Sequence, residues 1–318
     1  MIAEKKYIIA DSIDEAIKHA YSNLGNFKYL AGGTDVMVNK FQGNETSGCL
    51  IDITKITELK GISKQGDFLR IGALEILEEL KFNTIIKQEF PMLIEAALSV
   101  GSPLIRKTAT IGGNVLCENR CLYYNQSEWW RESVGYCLKC EGDICIATQG
   151  KNACFSELVS DTAPALIAMD AEIEYLDENG KHQQPLENIY SGDGVKPRNL
   201  SETAIVTAIL LPLNRGFKTA FFKLRERESL EFTSLTSAVA IDKNGKLKIA
   251  LSGVDPKPVV VEATINGDKA ILVKQAIKAS RAVDNDMYSR KYRREMIGVY
   301  LDKSFSLLNP PKEDLPSL

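Results

Sequence analysis

The sequence predicts an α+β protein whose last third is a separate domain. Three observations carry this. Strand-like and helix-like runs succeed one another over the first two thirds, with Gly-Gly turns at two places. From about residue 215 the pattern becomes strands in succession and then two helices, as expected for a sheet packed on helices. Between the two, residues 117–154 hold six of the seven cysteines and break the hydrophobic periodicity on either side.

The 318 residues suffice for two or three domains with a substantial core. The chain is 44% hydrophobic and 25% charged, with a net charge of −3. No apolar run approaches the roughly 18 residues of a membrane span, so none is expected. An isoelectric point near 5.7 and the lack of a basic cluster argue against nucleic acid as a partner. The opening MIAEKKYIIA lacks the apolar core of a secretory signal, which predicts a cytoplasmic protein. Only two histidines are present, His19 in a helical stretch and His182 in an expected hairpin turn, so a histidine base is poorly supported.

Residues 5–9 form the first expected strand. Asp11 is expected to cap a helix to about residue 24, with Ile13, Ala16, Ile17 and Ala20 on one face. Lys28, Tyr29 and Leu30 make a strand that runs into Ala31, Gly32, Gly33, Thr34 and Asp35. A helix from Val36 to Phe41 follows. Strand, Gly-Gly turn and helix start together let bare backbone N–H groups approach an anion, because glycine permits positive φ and close contact. Strands at 49–53 and 68–72 come next, then helices at 74–81 and 90–99. A second Gly-Gly turn lies in IRKTATIGGN at 105–114, where Thr110 and Asn114 can bond oxygens. Two such turns suit a diphosphate better than a single phosphate. Neither is G-x-G-x-x-G or G-x-x-x-x-G-K-[ST], which rejects a Rossmann dinucleotide site and a P-loop.

Beyond the cysteines, SDTAPAL at 160–166 opens a short apolar helix, and Asp161 is either its cap or a group that holds a sugar hydroxyl. Strands 171–177 and 182–186 form a hairpin across DENGK, and strand 203–211 ends at Pro212. In the last third AFFKLRE, LTSAVAID and KLKIALSGV are strands, with a tight turn at Lys243-Asn244-Gly245. Helices at 267–282 and about 289–307 follow. Tyr288, Tyr292, Tyr300 and the run Arg290–Arg294 read as a solvated helix face and its packing edge. The tail NPPKEDLPSL is expected to be mobile or docked on a partner.

The cysteine stretch is too long for a structureless loop without a function, and six thiols with the adjacent Trp129 and Trp130 argue against disorder. The two tryptophans are expected to pack between this loop and the body or a partner subunit. Disulfides are one way to tie the loop down, but a cytosolic chain keeps thiols reduced. Zinc is a second: Cys137 and Cys140 make a C-x-x-C half-site, without the paired second half. An iron–sulfur cluster is the third. Cys121, Cys137, Cys145 and Cys154 leave 15, 7 and 8 residues between successive thiols, an irregular spacing that fits a loop wrapped round a bulky cluster.

AGGTD at 31–35, IRKTATIGGN at 105–114, SDTAPAL at 160–166 and KLRERE at 223–228, in that order, resemble one family. It comprises the FAD-binding medium subunits of the molybdenum hydroxylases, the xanthine dehydrogenase and carbon monoxide dehydrogenase group. IDITKITEL at 51–59, RIGA at 70–73, SGVDPKP at 252–258 and KYRREM at 291–296 extend the match from about residue 3 to 305. The inserted cysteine loop, with NRCLYYNQSEWWR, resembles that of the 4-hydroxybenzoyl-CoA reductase medium (β) subunits, which carries a [4Fe–4S] cluster beside the flavin. The resemblance implies a two-part FAD-binding domain of this (PCMH-like) type. Its first part would be 1–55 and its second 56–214, with the iron–sulfur insert at 117–155, ahead of a C-terminal α+β domain at 215–318.

It further implies that the backbone of Ala31, Gly32, Gly33, Thr34 and Asp35 holds the FAD diphosphate. Thr110, Gly113 and Asn114 would complete the cradle and reach the ribityl chain. Asp161 would bind a ribose or ribityl hydroxyl, and Lys223 would sit near the pyrimidine end of the isoalloxazine. The cluster ligands would be Cys121, Cys137, Cys145 and Cys154. Cys117 and Cys140 are extra to the pattern, although Cys140 could replace a ligand. The subunit would have no substrate chemistry of its own. It would relay electrons between an external carrier such as ferredoxin, the [4Fe–4S] cluster, FAD and a [2Fe–2S] small subunit. A molybdenum-cofactor large subunit would carry out the reaction, in a dimer of heterotrimers. That reaction would be reductive dehydroxylation of an aromatic acyl-CoA. One alternative is a hydroxylase oxidising an aromatic or N-heterocyclic compound. Another, of a different class, is a flavin-free, zinc-stabilised assembly module.

Overall fold

The computed structural model describes residues 5–309. The chain builds three sheets in succession. The first is parallel, in the order β1 (Lys6–Ile9), β3 (Cys49–Asp52), β2 (Phe27–Leu30). Parallel neighbours need crossovers, supplied by α1 (Ile13–Tyr21) and α2 (Val36–Phe41). Ser12 rather than Asp11 caps α1, its hydroxyl accepting from Glu15 N. Ala16, Ile17 and Ala20 are buried with Cys49 and Ile51.

The second sheet is antiparallel, in the order β4 (Ile62–Gln65), β5 (Phe68–Gly72), β8 (Ile205–Pro212), β6 (Glu172–Asp177), β7 (Gly180–Pro185). The helices on its side of the molecule are α3 (Thr84–Glu89), α4 (Pro91–Ser99), α5 (Pro103–Arg106), α6 (Ile111–Val115) and α8 (Thr162–Ala168), while α7 (Glu128–Val134) lies within the cysteine insert. The stretch 74–81 is not a helix. Leu74, Leu77 and Leu80 are all buried at a helix-like spacing, but their backbone bonds elsewhere. Gly112 N donates to Ala73 O, Ile111 N to Glu75 O and Leu77 N to Ala109 O, each at 2.9–3.0 Å. The second glycine segment thus replaces the intrahelical partners. His182 lies on β7 rather than in the turn, stacked on Tyr175 at 4.8 Å and bonded to Asp177 at 2.8 Å.

The third sheet is antiparallel, in the order β12 (Val259–Thr264), β11 (Lys246–Ser252), β10 (Leu235–Ile241), β9 (Lys218–Leu224). Helices α9 (Lys269–Ala279) and α10 (Arg290–Leu308) cover one face through Leu272, Ile297, Leu301 and Phe305. Strand β12 was not among the expected strands, although its β-branched run follows Pro258 directly. Every residue of α8 is buried, and its core continues into Ala238, Ala240 and Ala250 of the third sheet. This helix therefore joins the second sheet to the third. The α10 face is not simply solvated: Tyr300 is buried against Phe222 at 5.3 Å, and Arg293 is fully buried. The tail beyond Asn309 lies outside the described residues.

Candidate functional site

The two glycine turns are brought into direct contact. Gly32 packs so tightly on the second segment that a Cβ there would lie 1.9 Å from Thr108 O. Gly112 is equally enclosed, its Cβ position 2.8 Å from Ala73 O. Gly33 has φ +72°, a left-handed conformation that favours glycine. Thr110 caps α6 by accepting from Gly113 N at 3.1 Å, and Gly113 itself is exposed. Asn114 Oδ1 accepts from Ser160 Oγ, Thr162 N and Thr162 Oγ1 at 2.6–3.2 Å. Its Nδ2 makes no hydrogen bond among the described residues and is left to donate. These are features of a backbone cradle: Gly32 and Gly112 let the segments pack, Gly113 stays open to solvent, and a donor remains on Asn114. The residues fit a diphosphate.

Asp161 and Lys223 meet as a buried ion pair at 2.7 Å. Thr236 Oγ1 donates to the other carboxylate oxygen at 3.1 Å. Burial raises the Asp161 carboxyl above its ordinary range, and Lys223 opposes that rise. Lys223 Nζ also donates to Ser99 O at 2.9 Å and Glu231 O at 3.2 Å, so all three of its donors are engaged. In this arrangement Lys223 keeps no free donor and is fixed against the start of the helix that follows Asp161. Asp161 makes no side-chain cap; Ser160 Oγ does, accepting from Ala163 N at 3.0 Å.

The insert is stapled at its base. Arg120 and Glu157 exchange backbone bonds at 2.9 and 2.7 Å, closing entry on exit. Asn119 Nδ2 donates to Ser156 O and Pro256 O, both at 2.9 Å. Arg198 Nη2 donates to Cys117 O at 2.6 Å. The Arg120 guanidinium pairs with Asp35 and lies 4.5 Å from the centre of the Phe232 ring. Asp35 Oδ2 also accepts from Glu118 N at 2.9 Å, which ties the first glycine turn to the insert. Buried Arg293 pairs with Glu157 and donates to Gly253 O at 2.7 Å. Burial pushes the Glu157 carboxyl up to about 8, and Arg293 pulls against that. Farther out, buried Arg131 on α7 donates to Gln42 O at 3.1 Å, beside α2. Sequence reasoning missed the roles of Arg120, Arg131 and Arg198, because a lone arginine carries no pattern, and read Arg293 as part of a solvated face.

Inside the insert one small, largely enclosed pocket is lined by Cys121, Cys137, Cys145 and Cys154, with Tyr124, Lys139 and Ser156 among its walls. Cys117 and Cys140 are not in that wall. All seven cysteines are free thiols. Among the described residues no three His, Cys, Asp or Glu side chains converge on a single-ion site. A tetrahedral zinc needs four ligands within about 2.3 Å of one point, whereas a cubane gives each thiolate its own iron and holds them wider apart. Four thiols round one pocket are the donor set that a cubane uses. Burial pushes the Cys117 and Cys121 thiols up to about 12. A hydrogen bond from Cys140 lowers Cys137 to about 6. Trp129 does not pack on the body: it is 73% exposed, and Trp130 is half-buried.

Among the described residues no helix is long and apolar enough to cross a membrane. The family model for the FAD binding domain in molybdopterin dehydrogenase matches residues 3–214. The aldehyde oxidoreductase FAD-binding subunit PaoB of Escherichia coli is 30% identical over 253 residues, 74% of this chain and 77% of that one. The glyceraldehyde dehydrogenase medium chain of Sulfolobus acidocaldarius is 26% identical over 95% of this chain and 97% of its own. Carbon monoxide dehydrogenase from Hydrogenophaga pseudoflava superposes with a TM-score of 0.74 at 21% identity, covering 97% of this chain and 98% of that one. A flavin-free module is thereby set aside: the chain belongs to the FAD-binding subunits of the molybdenum hydroxylase family of oxidoreductases.

Proposed function

We propose that this subunit relays electrons through two cofactors, FAD in the glycine cradle and a [4Fe–4S] cluster in the insert. The observation that carries the second half is the single pocket walled by Cys121, Cys137, Cys145 and Cys154. FAD supplies one- or two-electron chemistry and a cluster one-electron chemistry. The chain's own residues hold and insulate them. Backbone N–H groups of 31–35, with Thr110, Gly113 and Asn114, hold the diphosphate and ribityl chain. Asp161 and Lys223 set the field at the isoalloxazine end. The parts would be 1–55 and 56–214 for the flavin, 117–155 for the insert and 215–318 for the C-terminal domain. A cytoplasmic location is part of this reading.

In this reading substrate chemistry takes place on a molybdenum-cofactor large subunit, reached through a [2Fe–2S] small subunit, in a dimer of heterotrimers. The insert supports the 4-hydroxybenzoyl-CoA reductase type, in which a carrier such as ferredoxin feeds electrons inward to an aromatic acyl-CoA. A second reading is favoured by the relatives' names, which include a nicotinate dehydrogenase and a xanthine dehydrogenase subunit. In it electrons leave an oxidised aromatic or N-heterocyclic substrate and flow outward.

The purified, anaerobically reconstituted chain tests the cofactors. Acid-released flavin is expected to be FAD, and FMN would sink the cradle assignment. Iron is expected at four per chain. Serine at Cys121, Cys137, Cys145 or Cys154 is expected to lose or destabilise the iron with FAD retained, while serine at Cys117 or Cys140 changes little. Iron lost from Cys140→Ser and kept in Cys145→Ser would overturn the ligand set. Co-purification of the neighbouring subunits, and turnover with an aromatic acyl-CoA against N-heterocycles, separates the two directions of flow.

A further inference from the structure

Lys139 is a lysine where a lysine is costly. It lies between Cys137 and Cys140, its side chain is only 4% exposed, and it helps wall the cysteine pocket. Its ammonium pairs with Glu118, donates to Gly194 O at 2.6 Å, and sits 5.0 Å from the centre of the Tyr124 ring, another wall of the pocket. Glu118 is itself not part of the wall, whereas Lys139 is. A buried ammonium is normally expelled or neutralised, and a pairing carboxylate could equally be met at the surface. Something at the pocket must favour positive charge there.

We propose that Lys139, restrained by Glu118, sets the reduction potential of the cluster. This rests on the cluster reading above. Four thiolates round an iron–sulfur core carry net negative charge, which grows by one on reduction. A cation held in a low-dielectric wall stabilises the reduced form more than the oxidised form, and so raises the potential. Glu118 acts in the opposite sense, and more weakly, because it does not line the pocket. The surroundings of Cys154 act in the same direction as Lys139. Ser156 N donates to its sulfur at 3.4 Å. Lys139 is a positioning and tuning group, not a ligand.

The test is a redox titration of the full chain, reconstituted anaerobically, followed by EPR of the reduced cluster. Lys139→Met is expected to give roughly tenfold less reduced cluster at a fixed ambient potential, a fall of about 59 mV for a one-electron couple. Lys139→Arg is expected to restore the midpoint. Glu118→Gln is expected to shift it the opposite way, by a smaller factor. An unchanged midpoint in Lys139→Met with four irons retained overturns the proposal, as does a shift of both variants in one direction. If Lys139→Met loses its iron, Glu118→Gln decides: a raised midpoint supports the proposal and an unchanged one overturns it. Absence of iron from the unsubstituted chain overturns the cluster reading instead, and this inference with it. Iron content and midpoint keep the two failures apart.

Discussion

The glycine cradle and the cysteine insert meet at Asp35, and they are held by opposite means. In the cradle, position is fixed by what is missing: Gly32 lies against Thr108 and Gly112 against Ala73 because neither carries a side chain. In the insert, position is fixed by long polar side chains that reach across to it: Arg120, Arg131, Arg198 and Arg293. The first arrangement needs two chain segments of fixed sequence and tolerates almost no substitution. The second lets a loop be added between α6 and α8 of an existing fold, since its anchors are scattered over α2, the 198 segment and α10. In the proposed reading the flavin would thus be seated on backbone, and the cluster on side-chain staples.

The largest effect should come from putting a side chain into the cradle. Gly32→Val drives Cβ into the Thr108 carbonyl, and the obstacle is backbone, so the two segments must part. The expected outcome is loss of bound FAD together with a lowered unfolding temperature. Gly113→Val is the sharper probe. Its added Cβ would meet only Thr110 Oγ1 at 2.9 Å, a movable side chain, so the fold should survive while flavin retention falls. Gly33→Val adds a left-handed residue, costing about 1–2 kcal/mol in strain alone. Flavin absorbance per chain beside a melting curve separates the three. Equal retention in Gly113→Val and the parent chain would break the idea of a backbone cradle.

Next comes the deepest staple. Removing Arg293 leaves Glu157 buried without its partner, a change worth about 3–5 kcal/mol. Urea unfolding of Arg293→Ala should show that loss, and Arg293→Met should recover part of it by filling the space. A cost below about 1 kcal/mol would mean that the base of the insert is held by backbone, as the cradle is. Arg120→Ala should rank below it. It gives up charge-assisted bonds worth about 1.5–3 kcal/mol at a site with partial solvent access. Limited proteolysis should then open within 121–154 before the rest of the chain is cut, with FAD kept. Simultaneous loss of FAD would show that Asp35 transmits disorder from the insert to the cradle.

The contrast also explains what the sequence disclosed. AGGTD and IRKTATIGGN were legible as an ordered pair of Gly-Gly segments, although one such pair is a weak signal and the second lies in α6 rather than in a turn. Three strands of the third sheet were legible from AFFKLRE, LTSAVAID and KLKIALSGV with a tight Asn-Gly turn, and β12 was not. Residues 74–81 misled, since buried leucines at helical spacing do not reveal that the backbone bonds to a segment some thirty positions away. Arg293 was read as solvated for a related reason: the run KYRREM is polar, and only the fold brings Glu157 to it. Cysteine spacing nominated four thiols, and the pocket gathers those four, but the lysine among them had no signal beyond its place inside C-x-x-C.

The smallest expected effect concerns the pair of tryptophans, and it tests whether the insert really lacks an apolar anchor. Adjacent aromatics usually mark a core or interface. On α7 they divide instead: Trp130 is half-buried, whereas Trp129 is 73% exposed and gives its hydrophobic area to water. The helix is held by Ser127 capping Trp130 N at 3.3 Å and by Arg131 reaching Gln126 O at 2.6 Å, not by the indoles. Trp129→Ala should therefore change the stability of the isolated chain by no more than about 0.5 kcal/mol, the range of an ordinary surface substitution. Trp130→Ala should cost more, in proportion to the area it hides. Acrylamide quenching of each single-tryptophan variant should give one accessible and one sheltered indole. If Trp129 proves as sheltered as Trp130 in the lone chain, the insert has an apolar anchor after all. If Trp129 becomes sheltered only when the partner subunits are present, the staples hold the insert in the subunit and the indole belongs to the assembly.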